Sequence, residues 1–177
     1  MIKFEKVSRF NDEDVVLPVR KTTNSAGYDF VVAEEVVIKP HQVHYNHLNY
    51  EVNPYNIYSL DEVATATKQK EAKPTLVSTG VKCALEPDTY LELSVRSSTP
   101  LKYWLVLANG VGIIDADYYN NESNEGEIFF QLINLSPYPI RLKKGEVIGQ
   151  GIIKKYMTTD DDIASGERKG GFGSTNE

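Results

Sequence analysis

The sequence predicts an all-β domain, because its apolar residues fall into short runs separated by turn residues. The chain has 177 residues, among them 11 Tyr and 6 Phe, and the runs are rich in Val and Ile. β-Branched and aromatic residues in short runs favour strands over helices. Glycine and proline are scattered along the chain, so no flexible linker divides it into two domains. One sandwich or barrel of many short strands is therefore the expected architecture.

Seven apolar runs are the basis of the strand predictions. They comprise residues 31–32, 36–38, 76–77, 91–95, 105–107, 128–133 and 147–153.

The segment 53–73 departs from this strand pattern. Ser59-Leu60-Asp61-Glu62 has the S-x-x-E form of a capping box, which opens a run of good helix formers that closes before Pro74. Acidic residues lie in its first turn and lysines in its last turn, as the helix dipole favours. We expect one helix of about three turns, inserted between two strands. The alternative is a disordered polar insert.

The C-terminal residues have a different composition again. Glycines recur between Gly166 and Gly173 and would prevent a regular helix or strand from forming there. We therefore expect one β domain over residues 1–165 and a mobile tail over 166–177. The alternative to a functional tail is a disordered linker.

Composition excludes several classes of protein. A formal net charge of -6 argues against a general electrostatic grip on nucleic acid. No apolar window is long enough for a membrane helix, and residues 1–10 lack the apolar core of a secretory signal. Cys83 is the single cysteine, so no intrachain disulfide can form. These features lead us to expect a cytoplasmic protein without membrane or nucleic-acid partners.

Two motifs carry groups that suit a nucleotide. Arg96-Ser97-Ser98 follows a predicted strand and offers a guanidinium group and two hydroxyls to a phosphate. The bland interpretation is a surface turn. Gln150 lies between two glycines in an apolar strand, where its amide needs a hydrogen-bond partner. That partner could be a ligand or the neighbouring backbone.

The segment from Asn109 to Tyr118 has the features of a base-reading hairpin. Asn109-Gly110 is a hairpin turn signal, and free backbone N–H and C=O groups can pair with a pyrimidine. Asp115 follows two isoleucines and is a candidate general base. On a strand, Asp115 and Asp117 would share a face. The alternative is an ordinary hairpin with solvent-facing acids.

Five short segments, in this order, resemble the motifs of the trimeric dUTP diphosphatase (dUTPase) family in the form found in bacteria and their phages. The match runs from about Leu17 to the C-terminus, with 53–73 as an insertion. The segments are Ala26–Phe30, Arg96–Ser98, Asn109–Tyr118, Gly145–Gln150 and Gly170–Thr175.

The resemblance implies a fold and an activity. The family fold is a jelly-roll-like β-barrel that forms a homotrimer, and each active site is assembled from several subunits. The reaction is hydrolysis of dUTP to dUMP and diphosphate, with Mg²⁺ on the triphosphate. It limits the incorporation of uracil into DNA and supplies dUMP for dTMP synthesis.

The resemblance also implies roles for single residues. Asp115 would orient the attacking water toward the α-phosphorus and contact the sugar 3′-hydroxyl. Asn109 and the backbone of Gly112, Ile113 and Ile114 would read uracil. Tyr118 would pack under the deoxyribose and exclude a 2′-hydroxyl.

Further implied roles concern the phosphates and the metal. Arg96, Ser97, Ser98 and Gln150 would hold phosphates, and Asp29 would lie near Mg²⁺ through water. The implied tail contacts are Phe172 over uracil and Arg168, Ser174 and Thr175 on the terminal phosphates, and Gly173 would also bind the substrate.

The chain departs from the family pattern at several points. Residues 119–127 replace a tight Gly-Glu turn, so the strand after Tyr118 is delayed. Gly149 stands where Ala is more usual, and only Lys169 separates Arg168 from Gly170.

Three rival functions stay open at the level of sequence. A dCTP deaminase has the same fold. A regulatory dUTPase-like protein could bind a repressor, with segment 53–73 as the docking surface. A β-sandwich binding module would have no activity.

Overall fold

The structure, a computed structural model, describes residues 1–11, 14–41, 59, 61–62, 73–166, 168 and 170–171. The described part contains eleven strands and little helix, which confirms the all-β prediction. The strands are β1 Lys3–Lys6, β2 Tyr28–Val31, β3 Val36–Ile38, β4 Thr75–Ser78, β5 Val81–Ala84, β6 Thr89–Ser94, β7 Leu105–Leu107, β8 Gly112–Asp115, β9 Phe129–Asn134, β10 Ile140–Leu142 and β11 Val147–Lys155. The helical elements are α1 Ser98–Tyr103 and two 3₁₀ turns, Ser8–Phe10 and Ala116–Tyr118.

The strands form four antiparallel sheets. The largest has the order β2-β11-β6-β8, and a three-stranded sheet has the order β4-β9-β7. Two small sheets pair β1 with β5 and β10 with β3. Neighbours in the large sheet are far apart in sequence, because β11 lies between β2 and β6. Long connections of this kind are typical of jelly-roll arrangements.

The core lies between the two larger sheets and follows the alternation of their strands. Leu91 and Leu93 of β6 and Phe130 and Leu132 of β9 are almost completely buried. The ring of Phe130 packs on that of Phe30, with 5.7 Å between centroids. Side chains on a strand alternate between faces, so the residues between these apolar positions point away from the core.

A β-bulge in β11 determines which of its side chains face the core and which face outward. Against β2, Val147 opposes Val31 and Gly149 opposes Phe30, which leaves Ile148 as the extra residue. Ile148 and Gly149 are both buried, whereas Gln150 is half-buried on the outer face. A bulge re-aims the side chains that follow it.

The glycines beside Gln150 are required by the core. A methyl group at Gly149 would overlap the Phe130 ring and lie 2.7 Å from the Ser94 carbonyl oxygen. A methyl group at Gly151 would lie 2.8 Å from both Leu91 Cδ1 and Phe30 Cε2. The glycine at 149 is thus explained by the large ring opposite it.

An ion pair between the half-exposed Arg9 and the buried Glu127 ties the N-terminal segment to the residues just before β9. The side chain of Glu127 is 4% exposed and accepts hydrogen bonds from Arg9 Nε at 3.0 Å and Nη2 at 2.9 Å. Ser78 and the backbone N–H of Gly80 donate to the same carboxylate. The hydrogen bond to Glu127 raises the pKa of Arg9. Removing Arg9 would leave the buried charge of Glu127 uncompensated.

The predicted capping box of the insertion is formed. Ser59 N donates to Glu62 Oε2 at 2.8 Å, and Glu62 N donates to Ser59 Oγ at 3.3 Å. Asp61 and Glu62 have helical conformation. The remaining residues of the predicted helix, from Val63 to Ala72, lie outside the described residues. In the part of the chain that is described, no helix is long and apolar enough to cross a membrane.

We predict that Gly149→Ala lowers the free energy of unfolding by about 1–3 kcal/mol, because the added methyl group overpacks the core against Phe130. Chemical denaturation measures the change. The matched control is Gly166→Ala, since a methyl group there meets nothing within 4 Å. In the Gly149→Ala background, Phe130→Leu should recover part of the loss. Equal stability of the wild type and Gly149→Ala would contradict the packing argument.

Candidate active site

Three polar side chains from neighbouring strands meet on the outer face of the large sheet. Gln150 of β11 opposes Asp29 of β2 on one side and Ser94 of β6 on the other. Directly opposed residues of antiparallel strands share a face. The amide of Gln150 donates to Ser94 Oγ at 3.4 Å. The sequence left open whether the Gln150 amide bonds to a ligand or to neighbouring backbone. In this hydrogen bond its partner is the side chain of Ser94.

Asp29 is the acidic member of this group. Its side chain is 10% exposed, and its Oδ1 lies 3.7 Å from Arg96 Nε. Its Oδ2 is buried and has no hydrogen-bond partner among the described residues. Buried carboxylate oxygens normally have a partner. A carboxylate with a free oxygen suits a Mg²⁺ ion or a water bound to one, because Mg²⁺ prefers oxygen ligands and keeps several of its waters.

Arg96, Ser97 and Ser98 lie at the end of β6, where the chain turns into α1. Ser97 is the N-cap residue of α1, and its side chain makes no capping hydrogen bond. Arg96 and Ser97 are exposed, and Ser98 is half-buried. Together with Asp29, Ser94 and Gln150 they form what we call the phosphate cluster.

The Asn109-Gly110 turn joins two different sheets. β7 before it pairs with β9, and β8 after it pairs with β6. The prediction of a paired hairpin at this turn is therefore wrong. The reason is that each strand finds its hydrogen-bond partner in a separate sheet, a tertiary choice that the turn residues do not specify.

The consequence of this pairing is an open edge on β8. β8 is the last strand of its sheet, so no strand pairs with its outer edge in the described part of the chain. A cavity of about 170 Å³ lies along this edge. The residues that line it are Leu93, Leu107, Asn109, Gly112, Ile113, Ile114, Asp115, Tyr118, Phe129, Gln131, Arg168 and Gly171. We call this set the edge cavity.

Packing against the core explains why residue 112 is a glycine. A methyl group on Gly112 would lie 3.1 Å from Leu93 Cβ, the side chain directly opposite on β6. Sequence reasoning expected a close approach to the backbone in this strand. The structure identifies a neighbouring side chain as one group that makes such an approach.

Asp115 lies at the end of β8, at the mouth of the edge cavity. Its side chain is 48% exposed and makes an ion pair with Arg168 Nη2. Arg168 Nε donates to Asp117 Oδ1 at 2.7 Å, and Asp117 belongs to the 3₁₀ turn after β8. The two acids therefore face a common cation, as two residues on one face of a strand would.

Tyr118 closes the inner wall of the edge cavity. It is 6% exposed, and burial raises the pKa of its phenol. The phenol donates to the Glu127 carbonyl oxygen at 3.0 Å. A methyl group at Gly171 would lie 2.7 Å from Tyr118 Cε2, so the tail touches this ring. The predicted substrate contacts Phe172, Gly173, Ser174 and Thr175 lie outside the described residues.

Asp115 of the edge cavity and Gln150 of the phosphate cluster are far apart within one chain. Asp115 opposes Tyr90 on β6, whereas Gln150 opposes Ser94, four residues further along the same strand. β6 lies between β8 and β11. From the spacing of strands and the rise per residue, the Cα atoms of Asp115 and Gln150 are therefore about 16 Å apart.

The structure adds residues that sequence reasoning did not assign to the site. Ser94 supports Gln150, and the polar alternation of Tyr90, Glu92 and Ser94 along β6 was the available signal. Asp117 shares Arg168 with Asp115. Asn124 donates to Tyr118 at 2.7 Å from a loop whose sequence has no periodic pattern that could reveal the contact.

Comparison with known proteins identifies the family of the chain. The family model described as dUTPase matches residues 49–176. The deoxyuridine 5′-triphosphate nucleotidohydrolase of Lactococcus lactis subsp. lactis (strain IL1403) is 34% identical over 174 residues, which cover 97% of this chain and 95% of the relative.

Solved structures of dUTPases have the same fold. A crystal structure of dUTPase from Streptococcus mutans is 35% identical with a TM-score of 0.67, and the match covers 89% of this chain and 98% of that one. The dUTPase of phage phi11 of S. aureus, described with a structural Mg(II) ion, is 16% identical with a TM-score of 0.62. That match covers 94% of this chain and 97% of the phage chain. The chain therefore belongs to the dUTPase family, and it is an enzyme that hydrolyses dUTP.

Proposed function

We propose that dUTP binds with its base and sugar in the edge cavity of one chain and its triphosphate against the phosphate cluster of a neighbouring copy. The separation of Asp115 and Gln150 within one chain is the observation that carries this proposal. Asp115 as a general base at the α-phosphorus and the Gln150 amide as a phosphate ligand must both lie within a few ångströms of the same triphosphate. At about 16 Å they cannot do so from one chain.

A homotrimer satisfies this requirement and is typical of the family. Closed cyclic symmetry gives each of three copies the same two half-sites, and each pair of neighbours completes one active site. The chain also exposes large apolar side chains on one region, where Leu135 N donates to the Trp104 carbonyl oxygen at 2.9 Å. Trp104 is 61% exposed and Leu135 is 40% exposed. Contiguous exposed apolar side chains are typical of subunit contacts.

Asp115 is the proposed general base. Its carboxylate accepts a hydrogen bond from a water molecule, aims that water at the α-phosphorus and takes its proton as the new P–O bond forms. The bond from the α-phosphorus to its bridging oxygen breaks, and diphosphate leaves. The same carboxylate would contact the sugar 3′-hydroxyl. Arg168 reaches Asp115, so the base of the tail is within range of this step.

The open edge of β8 accounts for the choice of uracil. Backbone N–H and C=O groups of Gly112, Ile113 and Ile114, with the Asn109 amide, can pair with the polar edge of the base. A cytosine amino group would place a donor where this edge requires an acceptor, and a thymine methyl would need space at C5. Unpaired polar groups in a closed site discriminate strongly.

Arg96, Ser97, Ser98 and Gln150 are the proposed phosphate ligands, joined by the tail residues Ser174 and Thr175. Phe172 would stack over uracil, and Gly173 would pass close to the base. A guanidinium group and hydroxyl donors fit phosphate oxygens.

Asp29 is the residue proposed to hold Mg²⁺ through a bound water. Its buried Oδ2 has no partner among the described residues, which supports this assignment. When bound, Mg²⁺ would neutralise charge on the triphosphate. Asp29 Oδ1 lies 3.7 Å from Arg96 Nε, so the proposed metal-binding residue and a proposed phosphate ligand are neighbours.

We place the reaction in the cytoplasm, because a chain with a single cysteine forms no intrachain disulfide, as is usual for proteins of a reducing compartment. Cys83 is buried, and burial raises its pKa to about 12, so it stays protonated and inert at neutral pH. The regulatory partner expected for segment 53–73 stays a prediction, since most of that segment lies outside the described residues.

We predict that Asp115→Asn lowers kcat for dUTP by about 10²- to 10⁴-fold, because an amide cannot accept the proton of the attacking water. Diphosphate release measures kcat, and titration with a non-hydrolysable dUTP analogue checks that binding persists. Asp117→Asn is the matched control, because Asp117 is the other acid that pairs with Arg168. Its kcat should fall far less. Wild-type turnover in Asp115→Asn would refute the assignment, and ammonia release from dCTP by the wild type would point to a deaminase.

Co-expression of two inactive variants tests whether sites are shared between copies. Asp115→Asn removes the proposed general base from the edge cavity, and Gln150→Ala removes a proposed phosphate ligand from the phosphate cluster. If sites are shared, random mixed trimers should recover up to about one quarter of wild-type turnover, since some neighbours contribute two intact halves. Each variant alone is the control. A mixture that stays as inactive as its components would show that one chain builds the whole site.

Chelation of divalent cations should lower dUTP turnover, and Mg²⁺ should restore it. In Asp29→Asn the Mg²⁺ concentration for half-maximal turnover should rise by about tenfold, because residues that orient a metal's ligands contribute on that scale. Glu92→Gln is the control, a carboxylate on the same sheet face that pairs with Lys154 at 2.6 Å. An unchanged Mg²⁺ requirement in Asp29→Asn would contradict the assignment.

A further inference from the structure

The hydroxyl of Tyr118 is held in two directions. It donates to the Glu127 carbonyl oxygen at 3.0 Å and accepts from Asn124 Nδ2 at 2.7 Å. The side chain is 6% exposed, so water cannot readily replace these partners. Two hydrogen bonds at the tip of a buried ring fix both its position and its tilt.

Asn124 is itself fixed by the loop that contains it. Its Oδ1 accepts from Asn121 Nδ2 at 2.8 Å and from Gly126 N at 3.1 Å. Asn121 in turn donates to the Tyr118 carbonyl oxygen at 2.9 Å. Both ends of the Asn124 amide are therefore occupied, and its N–H points at Tyr118.

The loop after Tyr118 is anchored to the body of the domain at its far end. The Glu125 carboxylate accepts from Ser8 N at 3.1 Å and from the Ser8 hydroxyl. Gly126 has a φ of +79°, and a methyl group there would lie 2.5 Å from the Tyr118 carbonyl oxygen. The next residue, Glu127, is itself buried and makes the ion pair with Arg9. The loop thus has little freedom to move away from Tyr118.

The rigidity of Tyr118 matters because exclusion by a wall works only if the wall cannot shift. The ring lines the edge cavity, and Gly171 of the tail packs against its Cε2 side. A ribose differs from a deoxyribose by one hydroxyl, and a loosely held ring could move aside to admit it. Side chains that define specificity need supporting contacts that hold their geometry.

We propose that Asn124 is a positioning residue that sets the discrimination between deoxyribose and ribose by holding the phenol of Tyr118. This inference rests on the proposed function, in which Tyr118 packs under the sugar. The loop 119–126, which replaces a tight turn in this chain, is then the support of the sugar site.

The test compares kcat/KM for dUTP and UTP in the wild type, Asn124→Ala, Tyr118→Phe and the double variant. In Asn124→Ala the ratio of dUTP to UTP should fall about three- to tenfold, as expected for the loss of one hydrogen bond. In the Tyr118→Phe background, Asn124→Ala should have no further effect on the ratio, because the hydroxyl through which it acts is gone.

Ser123→Ala is the matched control. It removes a hydroxyl of the same loop that bonds to Asn121 Oδ1 at 2.7 Å and has no hydrogen bond to Tyr118. Its ratio should equal that of the wild type. If Asn124→Ala does not fold, Tyr118→Phe alone tests the same contact, since it keeps the ring and removes both hydrogen bonds.

A second measurement separates this inference from the proposed function. Dissociation constants of dUMP and UMP report sugar discrimination without any chemistry. If Asn124→Ala keeps the wild-type ratio in both turnover and binding, the inference is overturned while dUTP hydrolysis stands. If the wild type binds dUMP and UMP equally and Tyr118→Ala changes nothing, the sugar contact assigned to Tyr118 fails and the inference fails with it.

Discussion

The close packing of core side chains over Gly149 and Gly151 of β11 is the constraint on which the rest of the structure depends. The Phe30 and Phe130 rings occupy the space where side chains on β11 would lie. The bulge at Ile148 places both glycines toward the core and Gln150 outward. Core packing and the placement of the phosphate cluster therefore have one cause, the pleat of a single strand that pairs with both β2 and β6.

The edge cavity arises from a second choice of partners. β7 and β8 are neighbours in sequence, yet each pairs in a different sheet, so no strand of the described residues pairs with the outer edge of β8. An unpaired edge is a liability on an ordinary surface. Here it lies along a cavity closed by Tyr118, and the long loop after Tyr118 holds that wall in place through Asn124.

Charge in the site is balanced locally, whatever the net charge of the chain. Arg96 lies beside Asp29, and Arg168 pairs with Asp115 and Asp117. A net charge of -6 is compatible with a triphosphate substrate because the proposed site needs only a few cationic groups. The ion pair of Arg9 with Glu127 has a different role, since it fixes the N-terminal segment and the return of the chain into β9.

The sequence by itself determined the fold class and the identity of the chemical groups. Short β-branched runs became strands, the Ser59–Glu62 capping box formed, and Asp115 and Tyr118 proved to line one cavity. These are local properties, because strand propensity, turn chemistry and capping depend on residues close in sequence.

Only the tertiary structure decided which strands pair, and with that the site. The Asn109-Gly110 turn suggested a hairpin, but hydrogen bonds to β6 and β9 took its two strands into separate sheets. The bulge at Ile148, the pairing of Asp29 with Arg96 and the contact of Asn124 with Tyr118 likewise join residues through packing. Such contacts depend on the register between strands distant in sequence, which no local pattern encodes.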